Sequence, residues 1–314
     1  MASRLEAVFF RTVLLPSGSV PVRRPPKETR QALSKLIASA PSDAELYSLR
    51  ALEAEQQLDF AAAEADWKKY IDVASDKGEA RLALADYYRR RLQPREEFEA
   101  LALAAREPAP ASEKLLPESQ QRPWKTYQRL MTLIDEQRLD PALGVSQYWA
   151  WIQRFPAASN LYSDFFSYAL AHRRLDLGDD IIAAYQKAFP KDEEFPLEAR
   201  AGLAAKNGPA GQAREVYERS FRPLWPERLV SRYFALMRQT NSLRAYLERA
   251  RADVAAKPRD LVSAARLFYY WQQQNNTAAA ERALAEFRQR KEAQRSPWTS
   301  EELLTLARLF ETLH

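Results

Sequence analysis

Residues 144–156 read GVSQYWAWIQRFP, and residues 178–190 read GDDIIAAYQKAFP. Laid over one another, Gly144 falls on Gly178, Tyr148 on Ile182, Trp151 on Tyr185, and Phe155-Pro156 on Phe189-Pro190, each 34 residues later. A period of this length is that of a two-helix repeat unit, which buries its apolar face only against its neighbours. The same offset runs upstream through Leu33, Trp67 and Leu101, from Ala51 to Ala85, and from Ala54 to Tyr88. The expected fold is therefore all-α: a solenoid of antiparallel helix pairs with no significant sheet.

Composition agrees. The 314 residues are 46% hydrophobic, yet only 7 are glycine and 19 proline, and the stretches between are filled with Ala, Leu, Arg, Glu and Gln, which favour helix. The absence of cysteine excludes disulfides, thiolate metal sites and thiol catalysis. A net charge of +5 from 47 cations and 42 anions is a small excess on a large surface, and reads as a solvated helical exterior. The densest cationic run is Arg89-Arg90-Arg91. No run of about 18 apolar residues is present to span a membrane. Residues 1–15 carry two short apolar clusters split by Arg11 and lack a small-residue cleavage site, so no signal peptide is assigned. The compartment stays open: cytoplasmic if Met1 is the native start, exported if a leader was removed.

The helix pairs can be placed from their punctuation. Residues 2–15 and 27–39 read as a first pair with an enlarged turn from Pro16 to Pro26, a β-hairpin over 6–24 being the competing reading. Further pairs are expected at 43–56 with 59–73 and at 78–91 with 94–105. Residues 106–122, with Pro108, Pro110 and Pro117, form the longest insertion and read as a mobile loop or as a linker between segments 1–105 and 123–314. Pairing resumes at 123–137 with 141–154, 158–172 with 176–188, 194–206 with 210–221, 227–239 with 242–256, and 260–274 with 277–290. Thr299 and Glu302 form a capping-box pattern, so 299–313 should be one more helix. Its Leu303, Leu306, Leu309, Phe310 and Leu313 make it apolar for a terminal cap, from which a longer native array and self-association through this helix are expected.

At these residues the chain resembles the tetratricopeptide repeat family, in its bacterial type, whose members form a right-handed superhelix and usually serve as protein-interaction scaffolds. Ala51, Ala54, Ala63 and Trp67 match the family pattern in one repeat, Ala85 and Tyr88 in the next, and Gly178, Ile182 and Pro190 later. Glu97 and Phe166 depart from it, each standing where the pattern has a small residue. Segments such as 213–219 also look like the half-repeats of RNA-processing proteins. The asparagines Asn160, Asn207, Asn241, Asn275 and Asn276 do not fall with lysines into the carboxylate clamp of chaperone-binding members.

The resemblance implies a concave groove lined by the first helix of each pair. Its outward positions map to Asp86, Arg89 and Arg90, to Asn160, Ser163 and Ser167, to Lys206, and to Tyr269, Gln272 and Gln273. Arg89 and Tyr269 are the expected energetic anchors, since Arg and Tyr are enriched at binding hot spots. Catalytic patterns are missing. His172 and His314 sit in no metal-ligand spacing, no carboxylate pair stands out as acid and base, and Asn207-Gly208-Pro209 reads as a turn. Tyr148, Trp149 and Trp151 read as packing between repeats and not as a base-stacking platform. The expected function is a noncatalytic scaffold that binds a protein or peptide partner, with no metal or cofactor and with nucleic acid disfavoured. The alternatives are a helical accessory domain of a larger enzyme or processing assembly, or an RNA-associated half-repeat protein.

Overall fold

The computed structural model describes residues 8–15, 18–293, 295 and 297–313, with the side chains of these except for 11–22 and 210. Contacts divide the chain into two units, residues 1–155 and 156–314. Residues 106–122 lie within the first unit.

Among its described residues the first unit carries a hairpin ahead of its long helices. Strand β1 (Phe10–Leu15) pairs antiparallel with β2 (Gly18–Arg23), with Val13 opposite Val20 and Thr12 opposite Pro21. The expected helix over 2–15 is therefore corrected over 10–15, and the competing hairpin reading holds. Thr12, Val13, Val20 and Val22 favour extended backbone, and Pro21 is tolerated because both strands of a two-stranded sheet are edges. Arg23 at the end of β2 donates to the carboxylate of buried Glu53 at 3.0 Å, tying the hairpin to the helices.

Five helices follow: α1 (Pro26–Ser39), α2 (Ala44–Gln56), α3 (Phe60–Val73), α4 (Lys77–Arg90) and α5 (Pro94–Arg106). After two short 3₁₀ turns come α6 (Arg122–Glu136) and α7 (Pro141–Arg154). The second unit holds α8 (Ser159–Ala171), α9 (Gly178–Ala188), α10 (Glu194–Asn207), α11 (Ala210–Arg219), α12 (Glu227–Gln239), α13 (Leu243–Ala256), α14 (Leu261–Gln273), α15 (Thr277–Ala293) and α16 (Ser300–Glu311). These are the expected pairs, and in each unit consecutive helices pack on one another. Asp43, Asp59, Asp76, Asp140 and Asp260 each accept a backbone N–H of the helix they precede, which sets where those helices start.

Six of the turns within pairs share one geometry. Leu58, Leu92, Arg138, Arg173, Asn241 and Asn275 adopt the left-handed conformation, with φ between 50° and 58°. The next residue then donates its N–H back five positions, as from Asp59 to Ala54 at 2.9 Å and from Gln93 to Tyr88 at 3.0 Å. This closes the last turn of the first helix and reverses the chain. Only the two asparagines advertise it, because Leu and Arg seldom take that conformation.

The residues of the 34-residue echo lie inside. Leu33, Trp67, Leu101, Ala51, Ala85, Tyr148, Ile182, Trp151 and Tyr185 are all buried. The two departures from the repeat pattern have local reasons. Glu97 is buried and paired with Arg129 of α6. Phe166 is buried opposite Gly202, where an added Cβ would lie 3.6 Å from its ring, so the missing side chain on α10 makes room for the extra one on α8.

Residues 106–122 are tied down at several points. Arg122 pairs with Asp76, the cap of α4, and with Glu79 inside that helix, Arg81 pairs with Glu107, and Arg154 of α7 donates to the carbonyls of Ala105 and Glu107. In the second unit, α16 begins with the expected capping box between Thr299 and Glu302 and buries Leu306 and Leu309, while Leu303 and Leu304 stay about half exposed.

Candidate functional site

Of the residues expected to line a groove, Asp86, Arg89 and Arg90 belong to the first unit and the other seven to the second. The first three lie on the last turns of α4. Asp86 accepts from Arg129 at 2.7 Å, and the other end of that guanidinium reaches the buried carboxylate of Glu97 at 2.6 Å. Arg90 grips Glu55 of α2 through two nitrogens at 3.0 and 2.9 Å, so it is spent on joining neighbouring pairs. Arg89 is different. It is exposed, and its side chain makes no ion pair or hydrogen bond among the described residues.

Arg89 borders a groove of about 580 Å³ between the C-terminal ends of α4 and α6, with the α4–α5 turn forming one wall. Leu92, 87% exposed and held outward by its left-handed backbone, stands on that wall beside Gln93. Arg129 and Glu97 make the floor, and Thr132, Glu136 and Gln137 the far side. Two guanidinium arms on two carboxylates hold the floor rigid. The groove therefore offers one unpartnered cation and one exposed apolar side chain over a fixed base. Arg129, Leu92 and Glu97 were not picked out by repeat position; the one signal in the sequence is the acid at Glu97 where a small residue is expected.

In the second unit, Asn160 is exposed at the start of α8. Ser163 donates its hydroxyl to the Asn160 carbonyl and Ser167 to the Ser163 carbonyl, each at 2.8 Å, so both protons are satisfied within the helix. Lys206 is exposed at the end of α10, and Gln272 and Gln273 are half-buried at the end of α14.

Tyr269 is corrected as an anchor. It is 4% exposed, its oxygen accepts the Trp225 backbone N–H at 3.0 Å, and its ring meets Phe221 edge-on at 6.0 Å. Burial pushes its phenol above the ordinary tyrosine value. The α11–α12 connection, carrying Phe221 and Trp225, folds over this part of α14 and closes a position that the repeat pattern leaves open.

His172 is exposed, with its ring 4.2 Å from that of Tyr168. His314 lies outside the described residues. Among the described residues no cluster of three His, Asp or Glu side chains could hold a metal ion, and no helix is long and apolar enough to cross a membrane. Trp151 stacks on Tyr127 at 5.5 Å and meets Trp124 edge-on at 5.0 Å, and both Trp151 and Tyr148 are buried, as their packing role requires.

No family model and no curated protein matches this chain. Solved structures do. A chain of the Naa15/Naa10 complex bound to HypK-THB is 16% identical, with a TM-score of 0.44 over 92% of this chain. This chain spans 43% of that one. YrrB, a TPR protein with an unusual peptide-binding site, is 15% identical, with a TM-score of 0.31, over 60% of this chain and 90% of its own. The C-terminal part of a TPR repeat-containing protein from Cytophaga hutchinsonii is 12% identical, with a TM-score of 0.33, over 90% and 94%.

Proposed function

We propose that this protein is a noncatalytic scaffold that holds a protein or peptide partner, and that the groove between α4 and α6 is a seat for it. The observation that carries this reading is Arg89, an unpaired guanidinium beside the exposed Leu92 and above a floor locked by Arg129. A free cation next to an apolar side chain on a rigid base matches the makeup of binding hot spots, where an anchor is desolvated inside a ring of less important contacts. Packed helices keep the site preorganised, which lowers the cost of binding. The partner segment would place a carboxylate or a backbone carbonyl on Arg89 and an apolar side chain against Leu92.

A photo-reactive amino acid at Gln93, in the groove wall, compared with one at exposed Glu99 on α5, tests the reading in cells that make the protein. A discrete adduct from position 93 that is lost with Arg89→Ala, and none from position 99, is the expected result. Adducts from position 99 alone, or adducts indifferent to Arg89→Ala, would overturn it.

A further inference from the structure

A second cavity lies in the second unit, lined mainly by second helices of the pairs. Helices α13 and α15, the second helices of adjacent pairs, flank α14, and between them opens a space of about 480 Å³. Its floor is apolar. Leu267 and Trp271 of α14 are half-buried there, and Val254 and Pro258 form one side. On the other side stand Ala279 and Ala283, four residues apart on one face of α15; their small side chains leave the space unfilled.

The rim is cationic. Arg251 on α13 and Arg282 on α15 both line the cavity, and neither side chain makes an ion pair or hydrogen bond among the described residues. The loop after α13 adds exposed Lys257 and Arg259, equally without ion pairs. Among the described residues the only carboxylate lining the cavity, Glu286, already accepts from Arg290 at 2.9 Å. Asp253 and Glu281 lie on the same two helices but do not line it. Charges of one sign left unpaired around an apolar pit select a ligand of the opposite sign that carries an apolar group.

We propose that this cavity docks an acidic segment of a protein partner, which seats one aromatic or large aliphatic side chain against Leu267 and Trp271 and places flanking carboxylates on Arg251 and Arg282. Guanidinium groups bind carboxylates bidentately, so the two arginines also fix the direction of the segment. A nucleic acid fits less well. The walls are mostly aliphatic, and Trp271 is half-buried with its ring 5.0 Å from Tyr270, so no open aromatic face is offered for base stacking. The site uses other helices than the α4–α6 groove and does not depend on it.

The test is selection from a phage-displayed library of random peptides on the immobilised full chain, followed by fluorescence anisotropy with the enriched peptides. Enrichment of acidic residues around an aromatic or large aliphatic residue is expected. Binding should fall at least about tenfold in the Arg251→Glu/Arg282→Glu variant, and also with rising salt, since both cations are exposed and screened. The same peptides should bind Arg89→Ala unchanged. Both arginines project from the surface, so the charge-reversed variant keeps its helical circular dichroism and melting curve. No enrichment, peptides without acidic bias, or equal binding to the charge-reversed variant overturns the proposal. Loss of binding in Arg89→Ala alone would assign the peptides to the other groove, and tighter binding of oligouridine RNA through the same arginines would assign the cavity to nucleic acid; either result overturns it too.

Discussion

Arg129 of α6 closes on the buried carboxylate of Glu97 of α5 at 2.6 Å, across an interval of 32 residues. Glu97 keeps only 6% of its side chain exposed, so without Arg129 a charge would be left in the interior. Arg129→Ala should therefore cost about 3–5 kcal/mol in urea unfolding. Restoring the small residue of the repeat pattern by adding Glu97→Ala should recover most of that loss, because it removes the stranded charge. A double variant no more stable than Arg129→Ala would show that the pair is not the source of the cost.

Tyr269 belongs to the core, and its two truncations should separate packing from hydrogen bonding. Tyr269→Phe leaves the Trp225 N–H without its acceptor and should cost about 1–2 kcal/mol. Tyr269→Ala removes the ring as well and should cost about 3–5 kcal/mol. Guanidinium unfolding of both variants checks the order, and a Tyr269→Ala protein as stable as wild type would contradict the buried placement.

Gly178 opens α9 beneath Leu203. An added Cβ would stand 2.5 Å from Leu203 Cδ1 and 2.6 Å from Cδ2, and the buried leucine has little room to retreat. Alanine ordinarily gains up to about 1 kcal/mol over glycine in a helix. Here overpacking of about 1–3 kcal/mol should exceed that gain, so Gly178→Ala should lower the melting temperature.

Leu58 pays a backbone penalty with no visible return, being 74% exposed at φ 58°. Glycine takes this conformation without a Cβ clash. Leu58→Gly should therefore stabilise the first unit by about 0.5–1 kcal/mol, net of the extra freedom of the unfolded chain. A calorimetric melt that shifts downward would refute this.

Glu302 makes the attachment of α16 sensitive to acid. Hydrogen bonds from Lys291, and then from the Thr299 backbone N–H, hold its carboxyl below the ordinary glutamate range. A depressed folded value means that its contribution is complete above the unfolded pKa of about 4.3 and is lost as pH falls through the folded value. The difference in melting temperature between wild type and Glu302→Gln should be full at pH ~7 and shrink as the pH falls below about 4. A difference that does not change with pH would count against it.

The 34-residue spacing of Leu33, Trp67 and Leu101, and of Trp151 and Tyr185, determined the helix pairs and nearly all of their limits. Repeats bury their apolar faces only against one another, so the same positions must be apolar in each. The aspartate caps and the Thr299–Glu302 box were legible for the same reason: they act within a single turn of chain. Tertiary structure decided what depends on residues distant in sequence. The short apolar runs of 10–15 and 18–23 suit a helix or a strand, and pairing with each other settled them as a hairpin. Arg129 finds Glu97, and Trp225 covers Tyr269, only because packing brings together side chains that share no local period. The two grooves have the same origin. Arg89, Arg251 and Arg282 look like their neighbours in the sequence, and what sets them apart is that the fold leaves their side chains unpaired at the edge of a cavity.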